Sequence, residues 1–254
     1  MYPKLLNLTL LSVLLSVSLS AQITSGTIEY LETRTFPLWE GMSNEMKERV
    51  EEARARGDFD RIGELKFNEI AFSYSQQERD RRPPPNGGRG GGWMSRATDN
   101  PDVFYTNLQD SNIVEQRRIL DRSFIIEDSW QIPEWEVPDN QRPNMAYTLP
   151  SEVAYAVSQD GDTLTAYFTR SIPLAIGPRG YGGLPGAIVY LKVDRDEFST
   201  EYTLQGIKPA TEEIDLVIPE DGDAVTRERF NELKARREEA RERQRRGWRQ
   251  RRRN

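Results

Sequence analysis

Alternation of apolar and polar positions dominates the chain. Gly26 to Phe36 (GTIEYLETRTF) puts Ile28 and Tyr30 on one side, followed less cleanly by Glu32 and Arg34, which predicts a strand. Leu65 to Ser75 alternates in the same way and predicts a second. Between them the period lengthens: Met42, Met46, Val50 and Ala53 share one helical face, Ser43 can cap the start, and Gly57 can stop the helix near Arg56. From Asp102 the pattern is β again, over residues 103–109, 113–120 and 123–127, broken by Asp110-Ser111-Asn112 and Asp121-Arg122. Residues 152–158 and 163–170 flank the hairpin turn Gln159-Asp160-Gly161-Asp162, and residues 187–193 and 198–207 flank Asp194-Arg195-Asp196-Glu197. Strands joined by such short turns pair antiparallel. The expected fold is mainly β: a single curved antiparallel sheet, a half-barrel-like meander around a cavity or groove, with one early helix and a charged C-terminal helix.

That last helix opens at Thr226. Val225, Phe230 and Leu233 can dock its first turns, and nothing apolar follows Ala240 until Trp248. Glu232/Arg236, Glu239/Arg243 and Glu242/Arg246 stand four apart with the acid first, the favourable order on a solvated helix.

The N-terminus has a different character. Lys4 precedes an apolar run from Leu5 to Leu19, and Ser20-Ala21-Gln22 offers small residues for cleavage after Ala21, or after Ser20. This predicts a signal peptide over residues 1–21 and an exported protein, periplasmic, outer-membrane-associated or extracellular. No other segment nears the ~18 apolar residues of a membrane span. Residues 76–101 carry Arg81-Arg82-Pro83-Pro84-Pro85 and a run of glycines, which predicts a flexible surface loop. No Gly-Lys-Ser/Thr follows the glycines, so they form no phosphate-binding P-loop. The expected organisation is therefore a signal peptide (1–21), a β domain (22–225) and a charged helix with an Arg-rich tail (226–254).

Composition narrows the chemistry more than any motif does. The 254 residues include no cysteine and no histidine. Disulfides, thiolate nucleophiles, imidazole bases and the common zinc and haem ligand sets are thereby excluded, as is an N-terminal lipid anchor on cysteine. The remaining acid–base groups are mostly carboxylates. Asp160/Asp162, Asp194/Asp196/Glu197 and Asp221/Asp223 fall in turns, where Asp bonds its own backbone, and none has EF-hand spacing. No catalytic residue, metal ligand or cofactor is assigned. A glycosidase-like carboxylate pair, brought together only by folding, stays open.

The formal net charge of −6 is unevenly spread. Residues 227–254 hold thirteen basic and five acidic side chains, a net of +8, against −15 for residues 1–226 without Lys4. A basic tail on an acidic body suits contact with an anionic surface, with Trp248 as an interfacial anchor; nucleic acid is not expected.

One segment stands out from the strands around it. Between Pro173 and Gly186 the chain reads PLAIGPRGYGGLPG, with five glycines and three prolines. Gly177-Pro178-Arg179-Gly180 suits a type I turn and Leu184-Pro185-Gly186-Ala187 a type II turn, leaving Tyr181 and Leu184 to point inward. Here the chain resembles the GLPGLI family, exported proteins of Gram-negative bacteria. The motif residues are Ile172, Pro173, Gly177, Pro178, Tyr181, Gly183, Leu184, Pro185 and Gly186. Ala166-Tyr167-Phe168-Thr169, Phe124-Ile125-Ile126-Glu127-Asp128, Pro133-Glu134-Trp135, Val103-Phe104-Tyr105-Thr106-Asn107 and Thr226–Phe230 are similar to further family segments, so the likeness spans roughly residues 24 to 232. Two features depart from the family: Tyr147–Ser151 lacks the cysteine that many members carry, and Ala187-Ile188 replaces Leu-Ile. The resemblance implies export and a sheet-rich fold, and supplies no activity.

The resulting expectation is a non-enzymatic envelope protein that binds an apolar ligand or a protein partner. Trp130, Trp135, Tyr167 and Phe168 are candidates to line a groove, although aromatics at strand spacing are more often simply core. A carboxylate-based hydrolase and an envelope tether acting through the Arg-rich tail are the alternatives.

Overall fold

The computed structural model describes residues 22–38, 41–77, 102–142, 144–145, 149–196 and 198–251. The predicted signal peptide and nearly all of the predicted 76–101 loop lie outside the described residues.

Two antiparallel meanders build one open, curved sheet. The first comprises β1 (Gly26–Thr35), β2 (Asp60–Phe67), β3 (Ala71–Gln76), β4 (Val103–Asn107), β5 (Asn112–Ile119) and β6 (Arg122–Ser129). The second comprises β7 (Glu152–Val157), β8 (Thr163–Thr169), β9 (Ala187–Asp194) and β10 (Ser199–Pro209). β1 and β10 pair along their length, with a bulge at Glu29/Tyr30, and fuse the two. A two-residue β11 (Asp223–Ala224) adds a parallel edge beside β6, giving the order β11-β6-β5-β4-β3-β2-β1-β10-β9-β8-β7. The expected mainly β, curved antiparallel sheet is thus the observed one, apart from that short parallel edge.

The single strand expected over 65–75 is two. The Asn68 side chain accepts from the backbone N–H groups of Ile70 and Ala71, both at 2.9 Å, and turns the chain between β2 and β3. Such an Asx turn is invisible to hydrophobic periodicity, because the residues on either side keep alternating. Gln76, assigned from sequence to the loop, closes β3.

One face of the sheet is buried almost throughout, by Ile28, Tyr30, Leu65, Phe67, Phe72, Tyr74, Phe104, Leu164, Ala166, Phe168, Leu191 and Val193. Over the other face runs the chain between β10 and β11, where the Val217 N–H donates to Ser73 Oγ (3.1 Å). The β7 edge is covered as well. The Gln141 amide bonds both Val153 N–H (2.7 Å) and Val153 C=O (2.9 Å), Glu136 exchanges two backbone bonds with Tyr155, and Asn144 pairs with Ser151. An exposed edge that would otherwise template another strand is so blunted.

α1 (Asn44–Ala55) is capped by Ser43 Oγ on the Met46 N–H and ends before Gly57, whose φ is +70°. Met42, Val50 and Ala53 are buried, whereas Met46 is exposed. α2 (Arg227–Arg251) begins with Thr226 Oγ1 accepting from the Arg229 N–H (3.2 Å). Phe230 packs edge-on against Phe124 (5.9 Å between centroids) in a small second core with Ile126. The helix continues through the arginine-rich stretch to Arg251, about 37 Å in all at 1.5 Å per residue. Of its expected pairs, Glu239–Arg243 forms (3.1 Å), while Glu232 bonds Arg229 instead (2.8 Å). No helix among the described residues is long and apolar enough to cross a membrane.

Candidate functional site

Two structures fill the buried face: the Pro/Gly loop of residues 171–186 and the base of α2. Between them lies a polar cluster.

The loop leaves β8, folds over β3 and β4, and returns into β9. Ile172, Ile176 and Leu184 are buried in the main core, Tyr181 packs partly buried against it, and Pro173 and Pro185 stay at the surface. Irregular backbone in such a place needs partners for its polar groups. The Trp130 indole donates to the Gly180 carbonyl (2.7 Å) and that of Trp135 to the Gly182 carbonyl (2.8 Å). The Tyr30 hydroxyl donates to the Ile188 carbonyl (2.6 Å), and the Ile188 N–H to that of Ile176 (2.9 Å).

Both turn assignments made from sequence need correction. Arg179, at the third position of Gly177–Gly180, has φ +54°, outside a type I turn. Gly186 does not have the positive φ that a type II turn requires at its position; the left-handed glycines are Gly180 and Gly183. Gly186 is needed for space, since a Cβ there would lie 2.2 Å from the Thr169 carbonyl oxygen.

The four candidate groove aromatics do not line one groove. Phe168 is fully buried and Trp130 nearly so. Trp130 and Trp135 converge on the loop backbone instead. Tyr167, adjacent to Phe168 on β8, points to the opposite face and meets Tyr190 edge-on (5.7 Å).

Sequence reasoning missed the polar cluster. Arg179, carried by the loop, puts its Nη2 2.6 Å from Asp102 Oδ2 and its guanidinium 4.8 Å from the centre of the Phe104 ring. Asp102 also accepts from Arg117 Nε (3.3 Å), whose Nη1 bonds Glu115 (3.0 Å). Glu115 takes Arg227 of α2 on its other oxygen (2.7 Å), and Arg227 reaches Asp128 (3.1 Å). A continuous ionic chain so joins the start of α2 to the loop. Beside it, Glu32 is only 3% exposed and accepts from Gln76 Nε2 and from the Tyr74 hydroxyl (3.5 Å). Tyr74 fits because Gly63 leaves room: a Cβ there would lie 1.9 Å from its oxygen. The one legible signal was Glu32, a carboxylate where strand alternation calls for an apolar residue.

Most groups of this cluster are displaced away from neutrality. Burial pushes the Tyr30, Tyr74 and Tyr202 hydroxyls far up, so they stay neutral donors. Burial also raises Asp102 and Glu115, but Arg179 and Arg117 outweigh it for Asp102, and Arg227 and Arg117 for Glu115, so both end lower than usual. Burial lowers Arg179, yet the carboxylates of Asp102 and Glu32 outweigh it and hold the guanidinium firmly charged. Fixed charges and neutral hydroxyls suit recognition and rigidity better than proton transfer near pH 7. No group of three or more metal-capable side chains occurs among the described residues.

The molecule is thus an open curved β-sheet protein whose buried face is occupied by its own loop and helix. A family model described as "Protein of unknown function (Porph_ging)" matches residues 136–190, from the β7 edge strap through the loop into β9. No curated protein matches. Among solved structures, the chain is similar to PNGF-II in two space groups: 10% identity for the P21 form and 11% for the C2 form, each with a TM-score of 0.47. Both likenesses cover 82% of this chain, which spans about a third of the length of those chains (33% and 32%).

Proposed function

We propose that this chain is an exported, non-enzymatic envelope protein of the GLPGLI family that acts by binding a protein partner with an acidic surface, through α2. The family reading is supported by the Porph_ging match, which contains the whole Pro/Gly motif. One observation carries the functional reading: among the described side chains of this 25-residue helix, Phe230 and Leu233 of the first two turns dock on the sheet, while residues 238–240 and 243 are exposed. A helix whose described side chains beyond its docked base are mostly exposed and charged is available for contact with something else. Its surplus of positive charge sets the sign of that partner. Ile172, Ile176 and Leu184, packed into the curved sheet, favour a protein partner over an apolar ligand held within the sheet. The lowered carboxylates Asp102 and Glu115 weigh against the hydrolase, whose general acid needs a raised pKa.

Fractionating envelopes at increasing salt tests this reading. The full chain co-sediments at low ionic strength and is released towards about 1 M salt, where the Debye length falls to ~3 Å. Deleting residues 241–254 abolishes retention. Retention indifferent to both salt and deletion overturns the proposal. Binding of the purified chain to protein-free anionic lipid vesicles as tightly as to envelopes replaces the protein partner by the tethering alternative.

A further inference from the structure

We infer that the polar end of the sheet's buried face, around Arg34 and Arg61, is a binding site for a small oxyanion group. The site is separate from α2 and does not depend on its partner. On β1, Glu32 faces Arg61 of β2 and Tyr202 of β10 in the strand register. Two residues on, Arg34 faces Thr200. Directly facing residues hold their Cβ atoms about 4.5–5.5 Å apart, so Arg34, Arg61 and Glu32 share one small patch of the sheet.

The charges in that patch do not balance. Arg179 is matched by Asp102 (2.6 Å), and Arg195, at the rim, by Asp162 (2.9 Å). Among the described residues neither Arg34 nor Arg61 has an ion-pair partner within 4 Å, and Glu32 is bonded by Gln76 and Tyr74 instead. Arg34 is exposed at the end of this face; partial desolvation lowers its pKa, Glu32 opposes this, and Arg179 and Arg61 add to the lowering. Two guanidinium groups this close repel each other, and a bound anion relieves that repulsion. They do so here in a body that is otherwise strongly acidic.

The surroundings also fit a ligand. Arg34 lies over the Phe198 ring (4.8 Å), and Phe198 clusters with Phe36 (6.0 Å), which meets Phe59 (5.7 Å). A guanidinium held over a ring keeps the N–H donors of its edge for an oxyanion, and the planar fork matches carboxylate, sulfate and phosphate. Across from Arg34, the Thr200 hydroxyl is buried and has no hydrogen-bond partner. A buried, unused hydroxyl asks for an explanation, and an oxyanion drawn in by Arg34 supplies one. The patch therefore suits an anionic head, phosphoryl, sulfate or carboxylate, with the three phenylalanines beside it for the less polar part of the same molecule.

Titration of the full chain by calorimetry, with inorganic phosphate, sulfate and glucuronate in turn, tests the site. At least one of the three binds the wild type. Arg34→Gln weakens that binding about tenfold, the worth of one charge-assisted hydrogen bond, and Arg61→Gln weakens it by a smaller factor. Arg236→Gln, on the exposed part of α2, leaves it unchanged and separates this site from nonspecific binding to the basic helix. Preference for phosphate marks a phosphoryl head and preference for glucuronate an acidic sugar. Arginine Nε resonances of the wild type give a readout that does not depend on the variants folding: on titration, those of Arg34 and Arg61 shift first. Equal binding by wild type and both Gln variants, or no shift at these two residues with any of the three anions, overturns the inference.

Discussion

The Pro/Gly loop and the base of α2 cover neighbouring parts of the same sheet face, and they do so by opposite means. The loop is irregular, so carbonyls that its own backbone leaves unpaired need outside donors, and two indoles are spent on them. α2 satisfies its own backbone and, among its described side chains, is held by Phe230, Leu233 and Arg227. Burying a loop therefore demands tight steric fit and many specific bonds, and errors there are costly. Burying a helix end demands a few contacts, and errors there stay local.

The comparison breaks most severely at the loop's glycines. In Gly186→Ala the new Cβ would meet the Thr169 carbonyl 2.2 Å away, and backbone cannot yield as a flexible side chain does. The expected loss is about 3 kcal/mol, the upper end for overpacking, read as a lowered urea midpoint with unchanged slope. A variant as stable as wild type would show that the loop is less tightly seated than its contacts imply.

Trp130→Phe asks how much of the loop's stability lies in bonds rather than volume. The ring that packs edge-on against Phe72 (6.0 Å) is kept in part, while the donor to the buried Gly180 carbonyl is lost. Leaving that carbonyl unpaired costs roughly 2 kcal/mol. Trp135→Phe, at a half-buried site where water can substitute, costs about half as much. The ratio of the two losses is measurable by denaturant unfolding of both variants, and equal losses would refute the role given to burial.

Much of this architecture was legible beforehand, and the failures have one origin. Strand alternation located β1 and the hairpins β7–β8 and β9–β10, because each strand buries one face. Phe230 and Leu233 marked where α2 docks. The Asx turn at Asn68, the left-handed Arg179 and the close approach at Gly186 left no trace in periodicity, since each depends on a side chain or backbone group brought up by the fold. The polar cluster failed for the same reason: Glu32, Asp102 and Arg179 are 70 and 77 positions apart in sequence, and only the β1-β2-β3-β4 pairing with the loop laid over it gathers them. The two tryptophans, expected to line a groove, hold the loop through their ring nitrogens instead.

The ionic chain links the two regions, and acid separates them. Asp102 and Glu115 have folded-state pKa values below their unfolded ones, so they add stability above the ordinary carboxylate range and lose it as pH falls through the folded values. Protonation frees Arg227 and Arg179 together. Amide exchange followed from about pH 5 downward should show α2 residues 227–233 losing protection before the loop does, because the loop keeps its indole bonds. Arg227→Gln should shed about 1 kcal/mol at neutral pH and flatten this acid dependence. Loss of protection in both regions at one pH would mean that the loop too is held mainly by charge.

The smallest effect belongs to the outer part of α2, and its smallness discriminates. Glu239→Gln breaks the pair with Arg243, whose side chains are 68% and 76% exposed. An exposed i,i+4 pair contributes only ~0.3–0.5 kcal/mol to its helix and is weakened by salt. Because both side chains of this pair are largely exposed, global unfolding should not register the change at all, while helicity by circular dichroism should fall slightly at low salt. A shift of 1 kcal/mol or more in the unfolding midpoint would place the outer helix in contact with the body. It would then be a third cover of the sheet, no longer a free contact surface, and the partner reading would lose its main support.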